Sequence, residues 1–164
     1  MVRHFHYDKL NRITKQETAS FDVQENNWEN KNSNYLSNYS YDSNGNFLNL
    51  QRNDSIANLM DNLDYTYEIS NKDYYNGQKI NRLTEVEDNV GSTASPVDFE
   101  GTSDYSYDNT GNLISDSGED IDEIEWNTYG KVRKVTREAD NTKPDLEFWS
   151  VSYTHLTLPT KRIV

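Results

Sequence analysis

The sequence contains no cysteine. That excludes disulfide staples, cysteine-ligated zinc and thiol catalysis. It leaves the compartment open, because secreted proteins need not carry cysteine. Proline is scarce as well, with 3 in 164 residues. Apolar residues are few: 33% of the chain is hydrophobic, mean hydropathy is −1.02, and Leu, Ile, Val and Phe make up about a fifth. Such a composition borders on chains that stay disordered. No apolar run approaches the roughly 18 residues of a membrane span. No charged and apolar leader opens the chain, so no signal peptide is expected. Bases are outnumbered, 16 against 28 acids, for a net charge of −12. That balance argues against a nucleic-acid-binding face and against an anionic membrane surface as partner.

What is abundant points the other way. There are 12 Tyr, 5 Phe and 3 Trp, the residues that bury the most area each. There are also 21 Asn, so the chain is turn-rich rather than proline-rich. An internal recurrence organises them. An aromatic anchor is followed six positions later by an apolar residue in Tyr7-Asp8-Lys9-Leu10-Asn11-Arg12-Ile13 and Tyr41-Asp42-Ser43-Asn44-Gly45-Asn46-Phe47. The same holds for Tyr107-Asp108-Asn109-Thr110-Gly111-Asn112-Leu113 and Trp126-Asn127-Thr128-Tyr129-Gly130-Lys131-Val132. A degenerate fifth copy runs from Tyr67 to Leu83 around an insertion.

The spacing has a physical meaning. Asp or Asn at the first position of a type I turn accepts hydrogen bonds from the backbone ahead of it. Three places on, the chain must take the left-handed conformation that Gly and Asn tolerate best. A type I turn followed by a left-handed residue is a common three-residue hairpin loop. Hairpin tips are therefore expected at Asp8 to Asn11, Asp42 to Gly45, Asp108 to Gly111 and Asn127 to Gly130. The flanks Tyr39-Ser40-Tyr41, Tyr65-Thr66-Tyr67, Tyr105-Ser106-Tyr107 and Ile124-Glu125-Trp126 alternate with period two, as strands do. The fold class expected is all-β, built from successive antiparallel hairpins in a curved open sheet. Between hairpins, residues 25–34 are polar apart from Trp28, and residues 89–103 read as an exposed loop. Ile56, Leu59, Met60 and Leu63 fall at helical spacing, which suggests two helical turns capped by Asp54 or Ser55, or else a packed loop.

The recurring Tyr-Asp-x-x-Gly-Asn-x-Leu pattern with its Tyr-x-Tyr lead-in resembles the tyrosine–aspartate repeat of the rearrangement-hotspot (RHS) family. The best matches are Tyr105 to Leu113, Tyr39 to Phe47, and Met60 to Tyr67. The run Ile124 to Val135 resembles a segment that follows such repeats in bacterial members. The resemblance covers about residues 4–148 and implies a repeat region over residues 1–148. It implies strands wound into a hollow β-shell that encloses a C-terminal toxin or effector domain, and a secreted or cell-surface location. The partners implied are neighbouring repeats of the same polypeptide and the enclosed domain. Some relatives are cell-surface proteins for which carbohydrate binding is suggested, which makes an adhesion module the alternative.

The sequence departs from that pattern in three respects. It is too short to close a shell, it lacks the family's Asp-Pro-x-Gly cleavage motif, and no toxin domain follows. The chain is therefore expected to be an internal fragment of a longer polypeptide. Residues 149–164 break the recurrence, and Lys161 and Arg162 are the only charged residues there. That tail resembles translated adapter sequence on truncated reading frames; a proline-terminated strand is the other reading.

Candidate chemistry is thin. Asp42 to Asn46 and Asp108 to Asn112 are oxygen-rich, but the bidentate Glu that ends an EF-hand loop is missing, and turn chemistry explains the same residues. His4 and His6 share a strand face without a nameable third ligand, so no metal is expected. The acidic run Glu119 to Glu125 reads as a solvated face and edge protection rather than a paired-carboxylate hydrolase. Exposed rings could stack on sugars, but cross-strand ladders are the simpler use of them. No cofactor and no enzymatic activity are expected. The residues singled out are structural: Tyr7, Asp8, Asn11, Tyr41, Asp42, Gly45, Asn46, Tyr67, Tyr107, Asp108, Gly111, Asn112, Trp126, Asn127 and Gly130.

Overall fold

A computed structural model describes residues 2–30, 33–70, 77–91, 99, 101–139 and 142–149. Most of the tail, residues 150–164, lies outside the described residues, and so does much of the expected loop, residues 92–98 and 100. The strands are β1 Val2–Tyr7, β2 Ile13–Asp22, β3 Asn27–Asn30, β4 Ser37–Tyr41, β5 Phe47–Asn53 and β6 Leu59–Ile69. They continue as β7 Lys79–Asp88, β8 Thr102–Tyr107, β9 Leu113–Asp116, β10 Ile121–Trp126, β11 Val132–Arg137 and β12 Leu146–Glu147. A 3₁₀ turn at Ser117–Glu119 is the one helical element among the described residues. No helix among them is long and apolar enough to cross a membrane.

All twelve strands join one open antiparallel sheet in the order β1-β2-β4-β5-β6-β7-β8-β9-β10-β11-β12, with β3 paired to β2 off that path. The fold is all-β, a meander of successive hairpins not closed into a barrel. The ten-residue β2 makes the branch possible. Its first half pairs with β4 through Lys15 and Gln16, and its second half with β3 from Ala19 to Asp22. Direction reverses at each step of the meander, so the expected tips at Asp8, Asp42, Asp108 and Asn127 all fall at one end of the sheet.

Residues 54–63 overturn the expected helical turns. Asp54 to Asn58 is a hairpin turn, and Leu59 begins the longest strand. The Asp54 carboxylate accepts from the amides of Ile56 at 2.8 Å and Asn58 at 2.9 Å, which turns the chain instead of capping a helix. The helical spacing carries no common buried face: Met60 and Leu63 are buried, whereas Ile56 is 72% exposed. Met60 to Tyr67 lies wholly within β6. Two further boundaries differ from expectation. Asn27–Asn30 in the polar segment is a strand, with Trp28 edge-on to Phe21 at 5.2 Å between ring centroids. Thr102 and Ser103 belong to β8, and Ser103 is almost fully buried.

Side chains separate onto two faces. Phe47 meets Tyr39, Tyr41 and Tyr65 with centroids 6.1, 5.1 and 5.6 Å away, so a ladder of rings crosses β4, β5 and β6. The buried apolar residues among those described are Ala19, Met60, Leu63, Tyr67, Val86, Ile124 and Val135. The opposite face is polar. There Asp64 stands in register with Glu87, and Glu85 with Asp104. Among the described residues one carboxylate is fully buried: Asp61 receives Arg52 Nε at 2.7 Å and Nη2 at 3.0 Å, and the Phe99 amide at 3.1 Å. Two parallel bonds from a planar guanidinium offset much of the cost of burying that carboxylate.

Candidate functional site

Five turns share one construction. The amide of the first residue donates to the carbonyl four places on, for Asp8 to Arg12, Asp42 to Asn46, Asp54 to Asn58, Asp108 to Asn112 and Asn127 to Lys131, each at 2.9 Å. The amide of the fourth residue returns to the carbonyl of the first. That fourth residue is left-handed in every case: Asn11 at φ 60°, Gly45 at 93°, Ala57 at 71°, Gly111 at 93° and Gly130 at 70°. The first side chain then accepts from two amides inside the loop. Asp42 Oδ1 takes those of Asn44 and Asn46 at 2.8 and 2.9 Å, and Asn127 Oδ1 those of Tyr129 and Lys131 at 2.9 and 3.1 Å. Each strand pair shifts register by one residue at the anchor, between Ser40 and Tyr41 and again between Ser106 and Tyr107. This is the bulge that a left-handed fourth residue produces.

The turn at Asp54 was missed by the sequence reading. It has Asn53 where the others have a ring, and Ala57 where they have Gly or Asn. It also sits at the opposite end of the sheet from the other four. The signal that could have found it is the Asp-to-Asn spacing of four, present at Asp42, Asp54 and Asp108 alike.

The turn carboxylates are held ionised. Hydrogen bonds from the Thr110 and Asn112 side chains keep Asp108 far below the usual carboxylate range. Asp8 is lowered chiefly by the Arg12 amide. At Asp42 and Asp54 burial pushes the other way, and donors from Asn46, Asn44, Ile56 and Asn58 outweigh it. Their oxygens are committed to the turn, which leaves the Asp42 and Asp108 loops poorly disposed toward a cation.

Successive hairpins are stapled at their anchors. Tyr41 Oη donates to the Ile13 carbonyl at 2.8 Å, and Trp126 Nε1 to the Leu113 carbonyl at 2.7 Å. In both cases the polar tip of one anchor donates to the backbone carbonyl of the apolar residue that closes an earlier turn. Arginine adds to this. Arg12 lies 4.7 Å over the Tyr41 ring, donates to the Asp42 carbonyl at 2.9 Å and pairs with Asp8 at 2.7 Å. Arg82 stands 5.4 Å from the Tyr107 ring. Tyr7, the first anchor, is 57% exposed on the outermost strand.

Other candidates lead to little chemistry. His6 Nε2 lies 3.0 Å from Glu17, and His4 is in register with Glu17. Among the described residues no group of three His, Asp or Glu is placed to hold a metal ion. The acidic run is divided: Glu119 pairs with Lys143 at 2.8 Å and Glu125 with Arg133 at 3.4 Å. A hollow of about 340 Å³ beside β8, β9 and β10 is lined by Ser106, Ile114, Ser115, Asp122, Glu123 and Ile124. Its two serine hydroxyls bond each other. The described histidines stand on β1, at the other end of the strand order.

No protein-family model matches this chain, and no curated protein matches it.

Proposed function

We propose that this chain is a structural segment of a larger secreted or cell-surface protein, supplying strands to a β-shell that encloses a C-terminal toxin or effector domain. The observation that supports the reading is the stapling of hairpin to hairpin, through Tyr41 to Ile13 and Trp126 to Leu113. A hairpin in this arrangement cannot satisfy its own anchor; it needs a neighbour, and stacking neighbours builds the core. Such a sheet grows by adding units along one direction. Its job is enclosure, and no catalytic residue is part of the proposal.

The test uses the parent polypeptide recovered from its locus, with whatever follows the hairpins. A domain downstream of the sheet should resist protease until denaturant unfolds the strands. Digestion at the rate of the same domain expressed alone would overturn the reading.

A second reading, a carbohydrate-binding surface module, is favoured by one feature. Phe21 and Trp28 form a ring pair 43% and 47% exposed on the β2–β3 branch, away from the ladder. Binding on a glycan array that disappears with Trp28→Ala would favour this module over the shell.

A further inference from the structure

The five turns are alike in backbone but not in what precedes the left-handed residue. That neighbour is Leu10, Ile56, Thr110 or Tyr129 in four of them, and Asn44 in the fifth. Asn44 is exposed at its tip and is followed by Gly45. A Cβ built on Gly45 would meet no atom within 4 Å, so the space beside its Cα is open. Glycine also has no side chain of its own to hinder attack by its nitrogen.

We infer that Asn44 is a site of spontaneous covalent modification, converting through a succinimide to aspartate and isoaspartate. The Gly45 amide nitrogen loses its proton to solvent base and attacks Asn44 Cγ. An N–Cγ bond forms, the Cγ–Nδ2 bond breaks, and ammonia leaves. Water then adds at either carbonyl of the ring and reopens it. One opening yields aspartate. The other routes the main chain through the side-chain carbon, lengthening it by one methylene.

The fold sets the pace of this reaction. The attacking nitrogen donates to the Asp42 carbonyl at 3.2 Å, and the Asn44 amide is held by Asp42 Oδ1 at 2.8 Å. The leaving amide also donates to Asn81 Oδ1 at 3.1 Å. The reaction therefore proceeds from an opened tip, the kind of local opening that loop ends undergo first. The product has consequences for the sheet. Asn81 Oδ1 loses its donor from Asn44 and keeps the one from Asn46, a new negative charge enters the turn, and an isoaspartate breaks the spacing on which the turn depends.

The test is to age the purified chain at mildly alkaline pH, digest it and map peptides by mass spectrometry, with enzymatic methylation reporting isoaspartate. Asn44 should convert ahead of Asn109 and Asn11, which precede Thr110 and Arg12. Fragment ions separate it from Asn76, which also precedes a glycine. Gly45→Ala keeps a residue type that Ala57 shows at the same place, and conversion should fall to the level of Asn109. Denaturant should accelerate conversion at Asn44 in the unsubstituted chain. An intact Asn44 beside a converted Asn109, equal ageing of Gly45→Ala, or no acceleration on unfolding would each overturn the inference.

Discussion

The Tyr41 hydroxyl donates to the carbonyl of Ile13, 28 residues earlier and one hairpin away, at 2.8 Å. Tyr41 is half-buried, and burial pushes its phenol above the usual range, so it remains a neutral donor at ordinary pH. Removing this hydroxyl leaves the carbonyl without that partner while the ring ladder stays. Tyr41→Phe should cost about 1 kcal/mol, the net worth of such a bond. Tyr129→Phe is the control: that ring is 87% exposed at a turn tip, and the change should stay within about 0.5 kcal/mol. Denaturant midpoints of the two variants measure the difference.

The left-handed positions predict effects of opposite sign. Gly111→Val should cost roughly 1–2 kcal/mol, because a branched β-carbon collides with the backbone at φ 93°. Gly111→Asn should cost distinctly less, since Asn11 holds the equivalent place at φ 60°. A Cβ there meets only Arg82 Nη2 at 3.7 Å, an ordinary contact, so backbone strain and not crowding decides. Ala57→Gly goes the other way. It relieves an alanine held at φ 71° and should stabilise by up to about 1 kcal/mol, the glycine's extra freedom in the unfolded chain taking back part of the gain. Thermal melts of the three variants side by side are the check.

Gly118 answers to packing and not to φ. A Cβ there would lie 2.3 Å from Ser103 Oγ and 2.7 Å from its Cβ. Ser103 cannot swing away easily, because it is almost fully buried and its hydroxyl holds Asp116 at 2.8 Å and the Gly118 amide at 3.0 Å. Gly118→Ala should therefore cost about 1–3 kcal/mol. Adding Ser103→Gly should recover part of the loss. A double variant no better than the sum of its parts would show that the clash is not the cause.

Acid should loosen the turns together. The carboxyls of Asp8, Asp42, Asp54 and Asp108 are all lowered by hydrogen bonding in the folded chain. A group lowered on folding contributes stability above its unfolded value, about 4, and that contribution is lost as pH falls through the folded value. Asp108→Asn keeps an acceptor oxygen, as Asn127 does in its own turn, but cannot titrate. The unsubstituted chain should be the more stable at pH 7, and the gap should close as pH falls below 4. Urea midpoints across that range measure it; a gap independent of pH would mean the charge of Asp108 contributes nothing.

The sequence by itself determined the hairpin tips, because every contact that builds them spans four residues or fewer. Aspartate or asparagine at one end and Gly or Asn three places on suffice at Asp8, Asp42, Asp108 and Asn127. Period-two alternation placed the strands on either side for a similarly local reason. Where local signals competed, they misled. Ile56, Leu59, Met60 and Leu63 sit at helical spacing, yet pairing of β6 with both β5 and β7 holds that stretch extended and holds Ala57 left-handed against its own preference. The tertiary structure alone decided the staples, the branch of β3 from β2, the burial of Asp61 beneath Arg52 and the fit of Gly118 against Ser103. Their partners lie 5 to 28 residues apart along the chain, and nothing local distinguishes a tyrosine that reaches a distant carbonyl from one, like Tyr129, that faces solvent.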